Sequence, residues 1–382
     1  MTARRLLHGL GVLIFLLPSA GAWTTPGVPV SLRLLALAIL AVTAVRPFWG
    51  LMSVGILLPL NAVLNVVIQP EVGAIPQSEI LLSAFLLAAC ARALRDPDGP
   101  STRLGGPALV LGVLVGANAL VALATRQMTT QWLPDFLRDF WHHVTTEYHR
   151  GSDSFDAFHA AMEWIEGLTL AVLAERLCGS RGPAALGRFL GAVAAAATHG
   201  AIRLIQISVK RDHPVTAAMG FLRTLRINTL YNDANAAGSL FALYFVPAAW
   251  LAWVTFTVRA TRPARAMAGY VFATLVIALA LWMTQSRAAY AGAIIGLATV
   301  WLASGSRKSV RTAAATAGVA AVLLLAFVWL NKGSASQSSA SVSVGLRWEL
   351  AKVALQITRT HPFFGIGWHE FRQADRKSTR LN

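Results

Sequence analysis

The feature that most constrains this chain is the recurrence of apolar runs of roughly 16 to 25 residues, each about as long as a helix rising 1.5 Å per residue needs to cross a bilayer's hydrocarbon. Eleven such runs can be marked, at about 6–22, 29–45, 48–69, 79–94, 107–124, 161–177, 187–208, 234–257, 266–283, 287–303 and 312–330. With 55% apolar and 13% charged residues over 382 positions, the chain has too little polar surface for a soluble globule. The expected fold is therefore all-α: a polytopic transmembrane helical bundle of about 11 spans, with amphipathic helices on its outer face.

A formal charge of +16 and an isoelectric point near 11.2 would suggest a nucleic-acid partner in a soluble chain. Here the charge follows topology instead. With the N-terminus cytoplasmic, the inner segments carry fifteen Arg and Lys, against seven in the outer connections up to residue 286. That bias obeys the positive-inside rule, so membrane lipids are expected as partners and nucleic acid is not. The first run also resembles a signal peptide, with Arg4 and Arg5 ahead of it and Ser19-Ala20-Gly21-Ala22 behind. A second run follows within ten residues, so an uncleaved first helix is expected. Cys90 and Cys178 fall at the inner ends of runs, where buried thiols are expected rather than a disulfide.

The longer connections lie outside. Residues 125–160 mix Trp132, Phe136, Phe140 and Trp141 with Asp135, Asp139 and Glu147, a pattern suited to short helices at headgroup level. His142, His143, His149 and His159 share this stretch, but no zinc-ligand spacing joins them, and neither a metal nor another cofactor is expected. The second connection, "VKRDHPVTAAMGFLRTLRINTLYND" at 209–233, carries four cations, Arg223 and Arg226 among them. Two readings stand open for it: a solvated loop, or a contact for an anionic partner.

Within "LALWMTQSRAAYAGAIIGLATV", residues 279–300, an arginine interrupts two apolar runs with almost no loop between them. Basic inner loops flank both runs, which places the Thr284-Gln285-Ser286-Arg287 turn at the outer membrane boundary. Arg287 is either a snorkelling helix end or half of an anion site, because the following helix aims unbonded backbone N–H groups the same way. Arg203 falls in the middle of the seventh run and is expected to face the bundle interior, paired or lining a cavity.

After the last run comes the polar "NKGSASQSSASVSVG" and then "LRWELAKVALQITRTHPFFGIGWHEF". Leu346, Leu350, Val353, Ala354 and Ile357 recur at helical spacing, while Pro362, Gly365 and Gly367 stop the helix. An outer amphipathic helix opened by Arg347 is expected.

The "TQSRAA" turn, the arginine that opens a helix some 60 residues later, the closing "HPFFGIG" and the earlier "YNDANAAGSL" together resemble the shared region of the bacterial O-antigen ligase and O-antigen polymerase family. The resemblance covers about residues 228–372. It implies a metal-independent glycosyltransferase of the inner membrane, acting in lipopolysaccharide and related polysaccharide biosynthesis. Such an enzyme passes a glycan from undecaprenyl pyrophosphate to an acceptor glycan or lipid A core on the periplasmic face. Carried over by position, Arg287 and Arg347 hold the donor's pyrophosphate, and Arg203, Arg223, Arg226, Ser286 and Asn235 are candidates for the substrate groove. The family's general base, a histidine downstream of the Gly turn, is expected beyond Asn382, which reads the chain as truncated. The expected divisions are 1–208, N-terminal helices with the outer loop 125–160; 209–330, the core with the Ser-Arg turn; 331–374, a periplasmic loop with the amphipathic helix; and 375–382, a tail expected to be non-native. Ligase and polymerase are not distinguished. A transporter or flippase of a lipid-linked anionic glycan, and a membrane scaffold, are the alternatives from other classes.

Overall fold

The computed structural model describes residues 3–60, 77–95, 102–130, 132–149, 155–211, 234–257, 264–284, 286–303 and 337–360. Among these residues the secondary structure is helical, in twelve helices: α1 Ala3–Thr24, α2 Val30–Val45, α3 Pro47–Leu57, α4 Gln77–Arg95, α5 Gly105–Thr130, α6 Leu133–Thr146, α7 Asp156–Gly179, α8 Pro183–Arg211, α9 Ala234–Thr257, α10 Ala264–Thr284, α11 Arg287–Ala303 and α12 Gln337–Thr360. Seven of them (α1, α4, α5 and α7 to α10) are long and apolar enough to cross a membrane, whereas α2, α3 and α11 are shorter apolar helices. The end of the third expected run and all of the eleventh, 312–330, lie outside the described residues. The chain divides into two compact units, residues 1–50, 70–180 and 332–382 in the first, residues 51–69 and 181–331 in the second.

The first unit is organised around α4, whose Ile80, Leu81, Ala84, Phe85, Leu86, Ala88 and Ala89 are buried on every side. Helices α1, α2 and α7 pack on it, and α5 packs on α7. A helix apolar all round must be covered by protein or by lipid. α4 takes the first course. α5 takes the second, with Leu109, Val110, Leu111, Val113 and Leu114 all exposed.

A polar plug closes one end of this unit. His149 is buried, its Nδ1 lies 3.4 Å from Glu79 Oε2 and its Nε2 lies 2.8 Å from the Pro18 carbonyl oxygen of α1. Its backbone N–H donates to Thr25 Oγ1 at 3.4 Å. Tyr148 lies directly over Gly21, where an added Cβ would stand 2.7 Å from the Tyr148 Cβ, so a side chain at 21 would push this corner off α1. Burial, reinforced by the charges of Glu79 and Glu166, pushes the Tyr148 phenol up. Against the plug stands α6, whose Phe136 and Phe140 pack on Phe155 while Leu133, Leu137 and Trp141 form an exposed stripe. That division of faces suits a helix lying at a membrane–water boundary.

The second unit packs α8, α9, α10 and α11. Its buried faces are rich in alanine: Ala197 and Ala201 on α8, Ala237 and Ala248 on α9, Ala280 on α10, Ala289 and Ala293 on α11. Lipid tails are as apolar as leucine, so helices in a bilayer gain by close contact rather than by escaping water, and small residues permit that contact. Gly296 of α11 follows the same rule, since a Cβ there would stand 2.8 Å from Val246 Cγ2.

Candidate active site

Helices α10 and α11 are joined by two residues, Gln285 and Ser286, and several polar contacts fix their meeting point. Thr284 Oγ1 donates to the Leu281 carbonyl at 2.7 Å, turning back on its own helix. The Ser286 N–H donates to the same Thr284 oxygen at 3.3 Å, and the Ser286 carbonyl accepts the Tyr290 N–H at 3.1 Å, the first hydrogen bond of the α11 ladder. Both Thr284 and Ser286 are fully buried. Tyr290 ties the two helices a turn further in, its hydroxyl donating to the Trp282 carbonyl at 2.7 Å while the two rings stack at 6.1 Å.

This buried turn is seated on α9 by a glycine. A Cβ at Gly238 would lie 2.7 Å from Ser286 Cβ and 2.9 Å from both Ala289 Cβ and Thr284 Oγ1. Asn235, in the first turn of α9, is three residues earlier on the same helix, so the structure brings two of the expected groove positions, Asn235 and Ser286, to one end of the second unit. Arg287 is the first residue of α11, where backbone N–H groups have no acceptor within the helix and the dipole's positive end lies.

The other expected positions fall elsewhere. Arg203 was expected inside the bundle; it is exposed, at the end of the crossing segment Pro183–Arg203, with Nη1 3.5 Å from Gln206 Oε1. An end position lets the long side chain reach the interface, which avoids the cost of a charge at mid-depth. Arg347 lies within α12, not at its start, because the helix begins at Gln337 through the serine-rich segment read as a loop. Val353 and Ile357, one turn apart, are half-buried on α12, while Trp348, Glu349 and Leu355 are exposed. Arg223 and Arg226 lie outside the described residues.

Sequence reasoning named Thr284 only as part of the turn and gave Gly238 no role, although Gly238 stands in the quoted "YNDANAAGSL", and a glycine one turn into an apolar helix is a signal of close approach. It also missed the histidine-rich corner of the first unit. His143 Nε2 and His159 Nε2 meet at 2.8 Å, and burial holds His143 down at about 4, reinforced by His159 and opposed by Glu147.

Seven apolar helices of spanning length among the described residues make this a multi-pass membrane protein. Residues 271–381, which include the Ser286–Arg287 turn and α12, are similar to the family described as O-antigen ligase. No curated protein and no solved structure matches the chain.

Proposed function

We propose that the protein transfers a glycan from undecaprenyl pyrophosphate to an acceptor sugar on the periplasmic side of the bacterial inner membrane. Arg287 and Arg347 grip the pyrophosphate, and Arg203, Arg223, Arg226, Ser286 and Asn235 contribute to the groove that holds the donor. The observation that carries this reading is the coincidence of the family match with the turn at which α11 begins at Arg287 behind a buried Ser286.

In the reaction, an acceptor hydroxyl oxygen bonds to the anomeric carbon and the bond from that carbon to the pyrophosphate oxygen breaks. The electron pair leaves with the pyrophosphate, and the hydroxyl proton goes to a base that the family resemblance places downstream of Gly367. Negative charge grows on the leaving group as the bond breaks, so a fixed guanidinium and the α11 N–H groups stabilise the transition state more than the ground state. No metal is required for this, because the cationic side chains take the part a divalent ion would play.

The test is glycan transfer from undecaprenyl pyrophosphate in membranes carrying the protein expressed from its own locus, with an Arg287→Ala variant beside it. Loss of transfer with unchanged membrane insertion supports the reading. Binding of the lipid-linked glycan without transfer by the unaltered protein overturns it in favour of a carrier.

A further inference from the structure

We propose that His143 and His159 form an acid-released latch, which holds α6 against the start of α7 while the pair is neutral and frees it when both rings are protonated. The latch lies in the first unit and does not depend on the glycan-transfer reading, which concerns the second unit's turn and α12.

The seam it closes is made of rings. Phe140 of α6 meets Phe155 and Phe158 edge-on, with centroids 5.5 and 5.2 Å apart, and the His143 ring stacks on Phe155 at 4.8 Å. Set into this seam is the hydrogen bond between His143 Nε2 and His159 Nε2, 2.8 Å long. His143 is buried, so water does not stand ready to replace the bond if it fails. The other face of α6 exposes Leu133, Leu137 and Trp141, an apolar stripe that keeps a footing at a membrane–water boundary whether or not the ring seam is closed.

Proton counting turns the contact into a switch. At 2.8 Å one Nε2 donates its hydrogen and the other offers its lone pair. The neutral pair meets that condition with one ring in each tautomer. One added proton is still compatible with it, because that proton goes to Nδ1 of the donating ring. A second added proton goes to the accepting Nε2. Two N–H groups and two positive charges then face each other among phenyl rings, and the contact opens.

The charged neighbours come from every element at this corner. α6 supplies His142, and also Arg138, which is paired at the surface with Asp135 and Asp139. The turn after α6 supplies Glu147, Tyr148 and His149, α4 supplies Glu79 and α7 supplies Asp156. α5 carries Arg126 as its one charged residue, and α1 has no titratable residue from 9 to 24. Burial, reinforced by His159 and His142 and opposed by Glu147, holds His143 down at about 4, below the ordinary 6.5. A freed ring returns toward the ordinary value, so release takes up protons and acid favours it. The latch is shut above pH 6.5, and the released share grows as pH falls from there toward 4.

Pulsed electron resonance on the full chain in detergent reads the opening as a distance. Nitroxides would be placed at the exposed positions Leu137→Cys on α6 and Trp164→Cys on α7, with Cys90→Ala and Cys178→Ala removing the buried native thiols. Leu109→Cys with Trp164→Cys gives the α5–α7 distance as a control. Above pH 6.5 a single α6–α7 distance is expected. Below it a second population should appear, longer by about 10 Å, the diameter of one helix. Its ratio to the first should rise more than about tenfold per pH unit between roughly pH 6 and 5, since more than one proton is taken up on release. His143→Gln leaves a single ring, so the rise should fall to about tenfold or less; if melting shows that this variant does not fold, His159→Gln decides in the same way. The proposal is overturned by a wild-type distance that holds down to pH 4, by an equally steep rise in the glutamine variant, or by a control distance that changes together with the first. Release by a chelator above pH 6.5 would also overturn it, because the two rings would then be metal ligands.

Discussion

Gly238 of α9 and Ser286 of the α10–α11 turn approach so closely that a methyl group on the first would stand 2.7 Å from the Cβ of the second. Because the obstructing atom is a Cβ on a two-residue turn, no flexible side-chain end can yield. Gly238→Ala should cost about 1–3 kcal/mol by overpacking and displace the start of α11. Thermal unfolding in detergent micelles reads this directly; an unchanged midpoint would mean that the turn is not seated on α9.

Thr284 serves as both donor and acceptor within the same turn. Thr284→Val keeps the shape and removes both bonds, leaving the buried Ser286 N–H without this acceptor. A loss of about 1–2 kcal/mol is expected, with Thr284→Ser near wild type. Equal stability of the valine and serine variants would refute the role.

At Arg287 the prediction concerns chemistry rather than stability. Arg287→Ala should reduce glycan transfer by about a hundredfold or more while insertion and melting stay normal. Arg287→Lys should retain part of the activity, since a point charge replaces a forked donor. Unreduced transfer in the alanine variant would remove Arg287 from the pyrophosphate site.

The pair of buried His149 and half-buried Glu79 joins α4 to the loop after α6. Removing one partner leaves the other without this hydrogen bond, so His149→Ala should cost about 1–3 kcal/mol. The double variant Glu79→Gln, His149→Gln should lose less than the two single changes combined. Strict additivity in that double-mutant cycle would show that the two groups do not interact.

His143 gives a pH dependence with a definite sign. Its folded pKa, about 4, lies below the ordinary value of 6.5, so the unfolded chain takes the proton first as pH falls. The stabilisation from keeping this ring neutral is complete above pH 6.5 and is lost progressively down to about pH 4. Unfolding midpoints measured across that window should fall with pH in the wild type and flatten in His143→Gln; parallel curves would exclude His143 as the source.

The helices were legible because their signal is local: apolar runs of spanning length give α1, α4 and α8 to α10 directly. The turn at Ser286 was legible for the same reason, as a polar break between two runs. The start of α12 was not, since a serine-rich segment has weak intrinsic preference and reads as loop. Nor were the partners of His149, His143 and Gly238, which depend on how helices distant in sequence meet. Arg203 was misplaced because the seventh run was drawn over 187–208, whereas the crossing segment is Pro183–Arg203 and α8 continues past it to Arg211.

The corner at His149 also bears on how the protein is made. Glu79 leaves the ribosome 70 residues ahead of the histidine that completes its pairing. At about 5–20 residues per second this is an interval of roughly 4–14 s. Throughout it, α1 and α4 are already available to the membrane, yet Glu79 at the start of α4 lacks its contact with His149. That carboxyl keeps to the water boundary until then, so this end of the first unit cannot close helix by helix. Closure is a late and concerted event, timed by the arrival of Tyr148 and His149.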